Sequence, residues 1–158
     1  MLGLTATFIR LTEGELCEVI HDGGEGNIRG NQLINIDKSW DAIAFLISNQ
    51  QYDYDEQPIA KLIFGTHDLC EYSDSEVCYI LPEEVKAFNR HLSQLSDEML
   101  YNRLDFEFME THNVYPNIWD NEAEKEQVWK YLLHWISEVR TFYQKASANN
   151  EAIITYIT

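Results

Sequence analysis

Apolar and polar positions alternate near the start of the chain. Leu4, Ala6 and Phe8 fall on one side of an extended backbone, and Thr5, Thr7 and Ile9 on the other. That period of two, in residues that favour strands, predicts a first β-strand. Thr12-Glu13-Gly14-Glu15 has the spacing of a capping box, in which Thr12 and Glu15 satisfy each other's backbone donors. Leu16, Val19 and Ile20 give a short helix one apolar side. The run Gly23-Gly24-Glu25-Gly26 then opens a polar loop that reaches about Asn31.

Helical spacing returns at Trp40, Ile43, Ala44 and Ile47, with Asp37 or Ser39 as the N-cap. An acidic, Tyr-rich loop over residues 52–56 leads to Pro58-Ile59-Ala60-Lys61-Leu62-Ile63-Phe64, followed by Gly65. Pro at the first position and Gly just past the end favour a short helix, with a strand as the alternative. Val77-Cys78-Tyr79-Ile80 reads as extended. Pro82 opens a helix carrying Val85, Phe88, Leu92 and Leu95 on one stripe, and Ser96 caps another holding Leu100, Leu104 and Phe108. In the loop over residues 111–119, Pro116 pushes Tyr115 out of the α region. Asn121 and Glu124 pair as a cap for the longest element, where Val128, Leu132, Trp135, Val139, Phe142 and Ala146 repeat at helical steps over about seven turns. It stops at Asn149-Asn150, and residues 152–157 read as a final strand.

Strands at both ends with helices between them predict an α+β domain. The expected sheet is small, includes the N- and C-terminal strands as candidate neighbours, and packs against several helices, the C-terminal one long. No repeat, proline-rich linker or low-complexity run divides residues 1–158, which therefore read as one domain. A chain of this length buries roughly 68–70% of the surface its unfolded form exposes. Its 45% apolar content and 20 aromatic residues supply one core without a disulfide or metal staple.

Charge changes the functional picture more than composition does. Twenty-seven carboxylates against eleven Lys plus Arg give a net charge of −16. Such a field repels nucleic-acid phosphates and anionic membrane surfaces, whose recognition rests on Lys and Arg. A basic protein, a cation or no partner at all fits such a field, and the plainer reading is that the charge confers solubility. The start, Met1 to Thr7, lacks a basic region, and Arg10 interrupts the apolar run, so neither a secretion signal nor a membrane span is expected. With three irregularly spaced cysteines, Cys17, Cys70 and Cys78, the expected compartment is the cytoplasm.

Four stretches taken together resemble the YfbM-like family, the domain of unknown function 1877. They are Leu2-Gly3-Leu4, Ile36-Asp37-Lys38-Ser39-Trp40, Leu81-Pro82-Glu83-Glu84-Val85, and Val114-Tyr115-Pro116-Asn117-Ile118-Trp119 with the Tyr131 to Tyr143 helix behind it. The Asp-Lys-x-Trp and Tyr-Pro-x-x-Trp pieces are the more specific. Leu81 stands where a Thr is often found in such sequences, and Asp41 where a His is. The resemblance implies a compact α+β fold in a bacterial cytoplasmic protein, and no activity.

Candidate chemistry is sparse. Cys17 and His21, four apart, share a helix face, and His67 and Cys70 are three apart. Neither set supplies the four convergent ligands of a zinc site. A thiol nucleophile built from either pair needs an orienting group and an oxyanion site as well. Glu83 and Glu84 sit in a first helical turn, where negative charge stabilises the helix dipole. The Gly23 to Gly26 run lacks the Lys-Ser/Thr ending of a phosphate loop. No cofactor or metal is implied. The one local spot that stands out is Asp37-Lys38-Ser39-Trp40-Asp41, where Lys38 beside Trp40 could shape a ligand pocket with Tyr115 and Trp119. The competing reading gives these residues to capping and packing, since aromatic residues at helical spacing usually belong to a core. The weight of the sequence falls on a non-enzymatic acidic binding protein of the bacterial cytoplasm, one reading of which is an immunity-like protein that neutralises a basic partner. The rival is a small-molecule-binding protein or enzyme with a cleft at Asp37, Lys38, Trp40, Asp41, Tyr115 and Trp119.

Overall fold

The computed structural model describes residues 3–23, 32–50, 58–69 and 77–158. The polar loop to Asn31, the Tyr-rich loop at 52–56, Leu2 and Cys70 lie outside the described residues. Five strands form one antiparallel sheet: β1 (Ala6–Leu11), β2 (Gln32–Asn35), β3 (His67–Asp68), β4 (Val77–Ile80) and β5 (Ala152–Ile157). Their order is β2-β1-β5-β4-β3, so the N- and C-terminal strands pair at the centre, with Ala6 opposite Ile157 and Leu11 opposite Ala152. Among the described residues, seven α-helices accompany it: α1 (Glu13–His21), α2 (Trp40–Ile47), α3 (Lys61–Phe64), α4 (Pro82–Ser93), α5 (Asp97–Asn102), α6 (Phe106–Thr111) and α7 (Lys125–Ala148). The fold is α+β, as the alternation of elements predicts.

Both faces of the central strands are covered, which is why β1 is buried along its whole length. Ala6, Phe8 and Ile153 enter the main core with α2, α3, α4 and α7. Ile9, Leu11, Ala152 and Ile154 face the other way, into a smaller cluster closed by Leu16 of α1 and by Leu69. Along α7 the buried stripe runs through Val128, Leu132, Ile136, Val139, Tyr143 and Ala146, while Trp135 packs half-buried at its margin.

Local chemistry sets the element ends. Thr12 Oγ1 accepts the Glu15 N–H and Glu15 Oε1 accepts the Thr12 N–H, the complete capping box. Pro58 to Phe64 is helical, a 3-10 turn over Pro58–Ala60 running into α3. The helix expected behind Ser96 is instead two. Ser96 Oγ caps α5 through the Met99 N–H, and Asp105 Oδ1 caps α6 through the Phe108 N–H. The break between them is held by α2 and the turn after it: the Gln50 amide donates to the Arg103 carbonyl, and the Arg103 guanidinium donates to the Leu46 carbonyl. The backbone groups freed at the break thus find partners, and Leu104 and Phe106 both reach the core. β2 and β3 are unannounced by the sequence. β2 is a mostly exposed edge strand of four residues, and β3 is two residues long. Among the described residues, no helix is long and apolar enough to cross a membrane.

Candidate functional site

Asp37 opens a 3-10 turn ahead of α2 with a left-handed backbone, φ 56°. Its N–H is met by the Asn35 side chain, an Asx-type local bond, at 2.9 Å. Neither Asp37 nor Ser39 caps α2 with its side chain. Ser39 Oγ donates back to the Ile36 carbonyl, and the Asp37 carboxylate faces away to accept the Tyr131 hydroxyl of α7 at 2.7 Å. Burial, and then this bond to Asp37, raise the Tyr131 phenol well above its ordinary value of 10.0.

Trp40 is half-buried rather than a core residue. Its indole N–H donates to the Leu4 carbonyl, and its ring stacks on Tyr115, with centroids 5.2 Å apart and planes 25° from parallel. Phe64 meets the same indole edge-on. Asp41, one residue into the first turn of α2, is buried and accepts the Tyr115 N–H. Tyr115 precedes Pro116 through a cis peptide bond. Lys38 and the Tyr115 hydroxyl close over Gly3. A Cβ there would meet Lys38 Cε and the hydroxyl oxygen, so a larger residue at this position requires the ends of those two side chains to shift.

Five of the six candidate residues, Asp37, Lys38, Trp40, Asp41 and Tyr115, are therefore brought into one neighbourhood. Trp119 is joined to it only through the turn: its indole N–H donates to the Val114 carbonyl, and its ring is buried edge-on against Phe106. Asp37 Oδ2, Asp41 Oδ2 and the indole N–H groups of Trp40 and Trp119 each make a hydrogen bond within the protein. The group acts as a clasp joining the N-terminus, α2, the 114–117 turn and α7.

A second polar hub escapes sequence reasoning because its members come from three elements. Glu84 Oε1, in the first turn of α4, accepts the Leu81 N–H, the Thr66 hydroxyl and His67 Nε2 at 2.9–3.0 Å. His67 also stacks on Tyr79. On the neighbouring strand positions the Cys78 thiol donates to Asp68 Oδ1 at 3.4 Å. Among the described residues no three His, Cys, Asp or Glu side chains converge as metal ligands. Cys17 is exposed on α1 and Cys78 half-buried on β4.

The surface charge is uneven. Residues 97–126 carry nine exposed carboxylates, four from Asp97 to Glu107 and five from Glu110 to Glu126, against Arg103 and Lys125, a net of −7. Both cations are engaged, Arg103 with the Leu46 carbonyl and Lys125 over the Tyr101 ring. The Tyr101 hydroxyl donates to Glu126 at 2.6 Å and its ring meets Trp129, which ties α5 to the start of α7. An open cleft of about 480 Å³ beside α4 has, among the described residues, one titratable lining residue, His91.

The family model of DUF1877, a domain of unknown function, matches residues 2–156. The crystal structure of YfbM from Escherichia coli, described as a protein of unknown function, superposes with a TM-score of 0.79. That match covers 98% of this chain and 99% of the other at 16% identity. The likeness extends to the fold. No curated protein matches the chain.

Proposed function

The chain belongs to the DUF1877 family of domains of unknown function, and on that footing we propose that it is a non-enzymatic binding protein whose partner is a basic protein. The observation that carries this reading is the run of nine exposed carboxylates over residues 97–126, whose two cations are already engaged inside the molecule. A stretch with so large an excess of negative charge, even with Asp97 paired to Arg140 of α7, speeds encounter with a partner of the opposite sign and rejects anionic competitors. The clasp around Trp40 supports the same preference over a catalytic cleft there, because the carboxylates of Asp37 and Asp41 and the indoles of Trp40 and Trp119 each take part in a hydrogen bond inside the protein. A bacterial cytoplasmic setting, and an immunity-type neutralising role, belong to the same proposal.

The test is association with purified basic proteins, beginning with products of adjacent genes, at low and high salt. The expected outcome is fast, saturable binding that weakens as salt rises. The variant combining Glu107→Gln, Glu110→Gln, Glu122→Gln and Glu124→Gln should lose much of it while keeping its melting temperature. Binding indifferent to both salt and these substitutions, or no basic partner at all, would remove the proposal.

A further inference from the structure

The open cleft of about 480 Å³ lies where the end of α2, the 3-10 turn Pro58–Ala60 and α4 diverge. Its floor belongs to the main core: Ile47 and Phe88 are buried there, and Ile59 and Leu95 pack against that core half-buried. One flank of α4 supplies the wall, because Ala87, His91 and the capping residue Gln94 recur at helical steps beside Phe88. Ile59 and Leu95 thus keep apolar surface in contact with water, which costs about 25 cal/mol for each Å². An apolar ligand would remove that surface from water. Sites for small molecules are commonly about 300–1,000 Å³, mostly apolar, with a few placed polar groups.

The lining also sets the charge of its occupant. Among the described residues it contains no Asp, Glu, Lys or Arg, and its polar side chains are His91 and Gln94, both exposed. The main-chain acceptors at the end of α4 are already engaged. There the Arg90 carbonyl accepts the Ser93 hydroxyl, the His91 carbonyl accepts the Gln94 N–H, and the Leu92 carbonyl accepts the Leu95 N–H. A charged head group seated between such walls gives up hydration and meets no counter-charge, which is unfavourable for either sign. An uncharged head loses less and regains it. The Gln94 amide and a neutral His91 imidazole can each both donate and accept.

We propose that this cleft is a binding site for a small uncharged amphiphile, with an apolar chain between Ile59 and Phe88 and one hydroxyl or primary-amide head at His91 and Gln94. The site consists of described residues alone; residues 51–57, ahead of Pro58, lie outside them. It is separate from the acidic stretch 97–126, so failure of either proposal leaves the other standing.

The experiment is titration calorimetry and thermal shift on the full chain at neutral pH with octanol, octanoate and octylamine, each below its aggregation concentration. Octanol should saturate at one per chain and raise the melting temperature. Octanoate and octylamine should each bind about tenfold more weakly or less, because both carry a charge that the cleft does not match. Ala87→Trp, which fills the cleft, should abolish octanol binding. The double variant His91→Ala, Gln94→Ala, at two exposed positions, should keep its fold and weaken octanol about three- to tenfold, the scale of one hydrogen bond. Should Ala87→Trp fail to fold by circular dichroism, the double variant carries the decision. The proposal is overturned by no saturable octanol binding, by octanoate or octylamine binding as tightly as octanol, by a folded Ala87→Trp that binds octanol like the wild type, or by octanol binding that the double variant leaves unchanged.

Discussion

The carboxylate of Asp41 accepts the backbone N–H of Tyr115 at 2.8 Å, tying the first turn of α2 to the turn ahead of Pro116 across 74 positions of sequence. Asp41 is 6% exposed. Asp41→Ala strands a partly buried donor and should cost about 1–3 kcal/mol. Asp41→Asn keeps an acceptor oxygen at the same reach and should retain most of that stability. Urea unfolding followed by tryptophan fluorescence reads both, since Trp40 stacks on Tyr115 beside the bond. Equal midpoints for Asp41→Ala and the wild type would mean that the bond contributes nothing.

The elements legible in the sequence are those with two independent local signals. The Thr12–Glu15 box, Pro82 ahead of Glu83 and Glu84, and the long apolar stripe of α7 each combine a terminus signal with a period, and each is a helix where expected. β2 and β3 have neither, because an exposed edge strand and a two-residue strand derive their conformation from their neighbours. The α5–α6 break depends on Gln50, some fifty positions away, which satisfies the Arg103 carbonyl. The candidate site divides in the same way. The stretches around Trp40 and Tyr115 are individually conspicuous, but the Asp41 bond that joins them is tertiary. The cleft beside α4 is hidden for another reason: Phe88 and Leu95 belong to an apolar stripe that reads as core, and only the packing of Pro58 and Ile59 leaves part of it open.

Gly65 ends α3 at φ 88°, and a Cβ there would stand 2.3 Å from Cys78 Cβ and 3.0 Å from Thr155 Cγ2. Both neighbours sit on sheet strands whose registers leave little room to move. Gly65→Ala combines backbone strain with overpacking and should destabilise by about 2–4 kcal/mol. Gly14→Ala is the contrasting case, because the nearest atom to its Cβ is Thr12 Oγ1 at 4.0 Å and the site is helical. It should be neutral or stabilise by up to about 1 kcal/mol. Thermal unfolding of the two variants side by side checks the contrast, and similar melting temperatures would refute it.

Stability should fall in alkali through Tyr131. Burial, then the bond to Asp37, hold this phenol in the folded protein above its ordinary value of 10.0. An unfolded chain ionises the group first, so above that value the folded state binds more protons and stability declines as pH rises. Below it the contribution is fully present. Tyr131→Phe should be less stable at neutral pH by about 1 kcal/mol for the lost hydrogen bond, and its alkaline decline should be shallower. Tyr143, raised by complete burial and by nearby Glu84, and Tyr101, raised first by its bond to Glu126, contribute to the part that remains. Denaturant midpoints between neutral pH and pH about 11 measure the slopes; parallel curves for Tyr131→Phe and the wild type would assign the alkaline loss elsewhere.

Arg10 and Glu151 form an ion pair at the end of the two central strands, Nε to Oε1 at 3.6 Å, with side chains only 10% and 2% exposed. The guanidinium also lies over the Phe142 ring, 5.8 Å from its centroid. Desolvating both charges offsets most of their attraction, so the pair matters chiefly because neither partner tolerates loss of the other. Arg10→Met should cost about 3–5 kcal/mol by removing the guanidinium 3.6 Å from a buried carboxylate. The double variant Arg10→Met, Glu151→Leu removes that charge as well and should recover most of the loss, giving a large positive coupling in a double-mutant cycle. A double variant no more stable than Arg10→Met alone would place the cost in the lost contact with Phe142, because removing the carboxylate would then have relieved nothing.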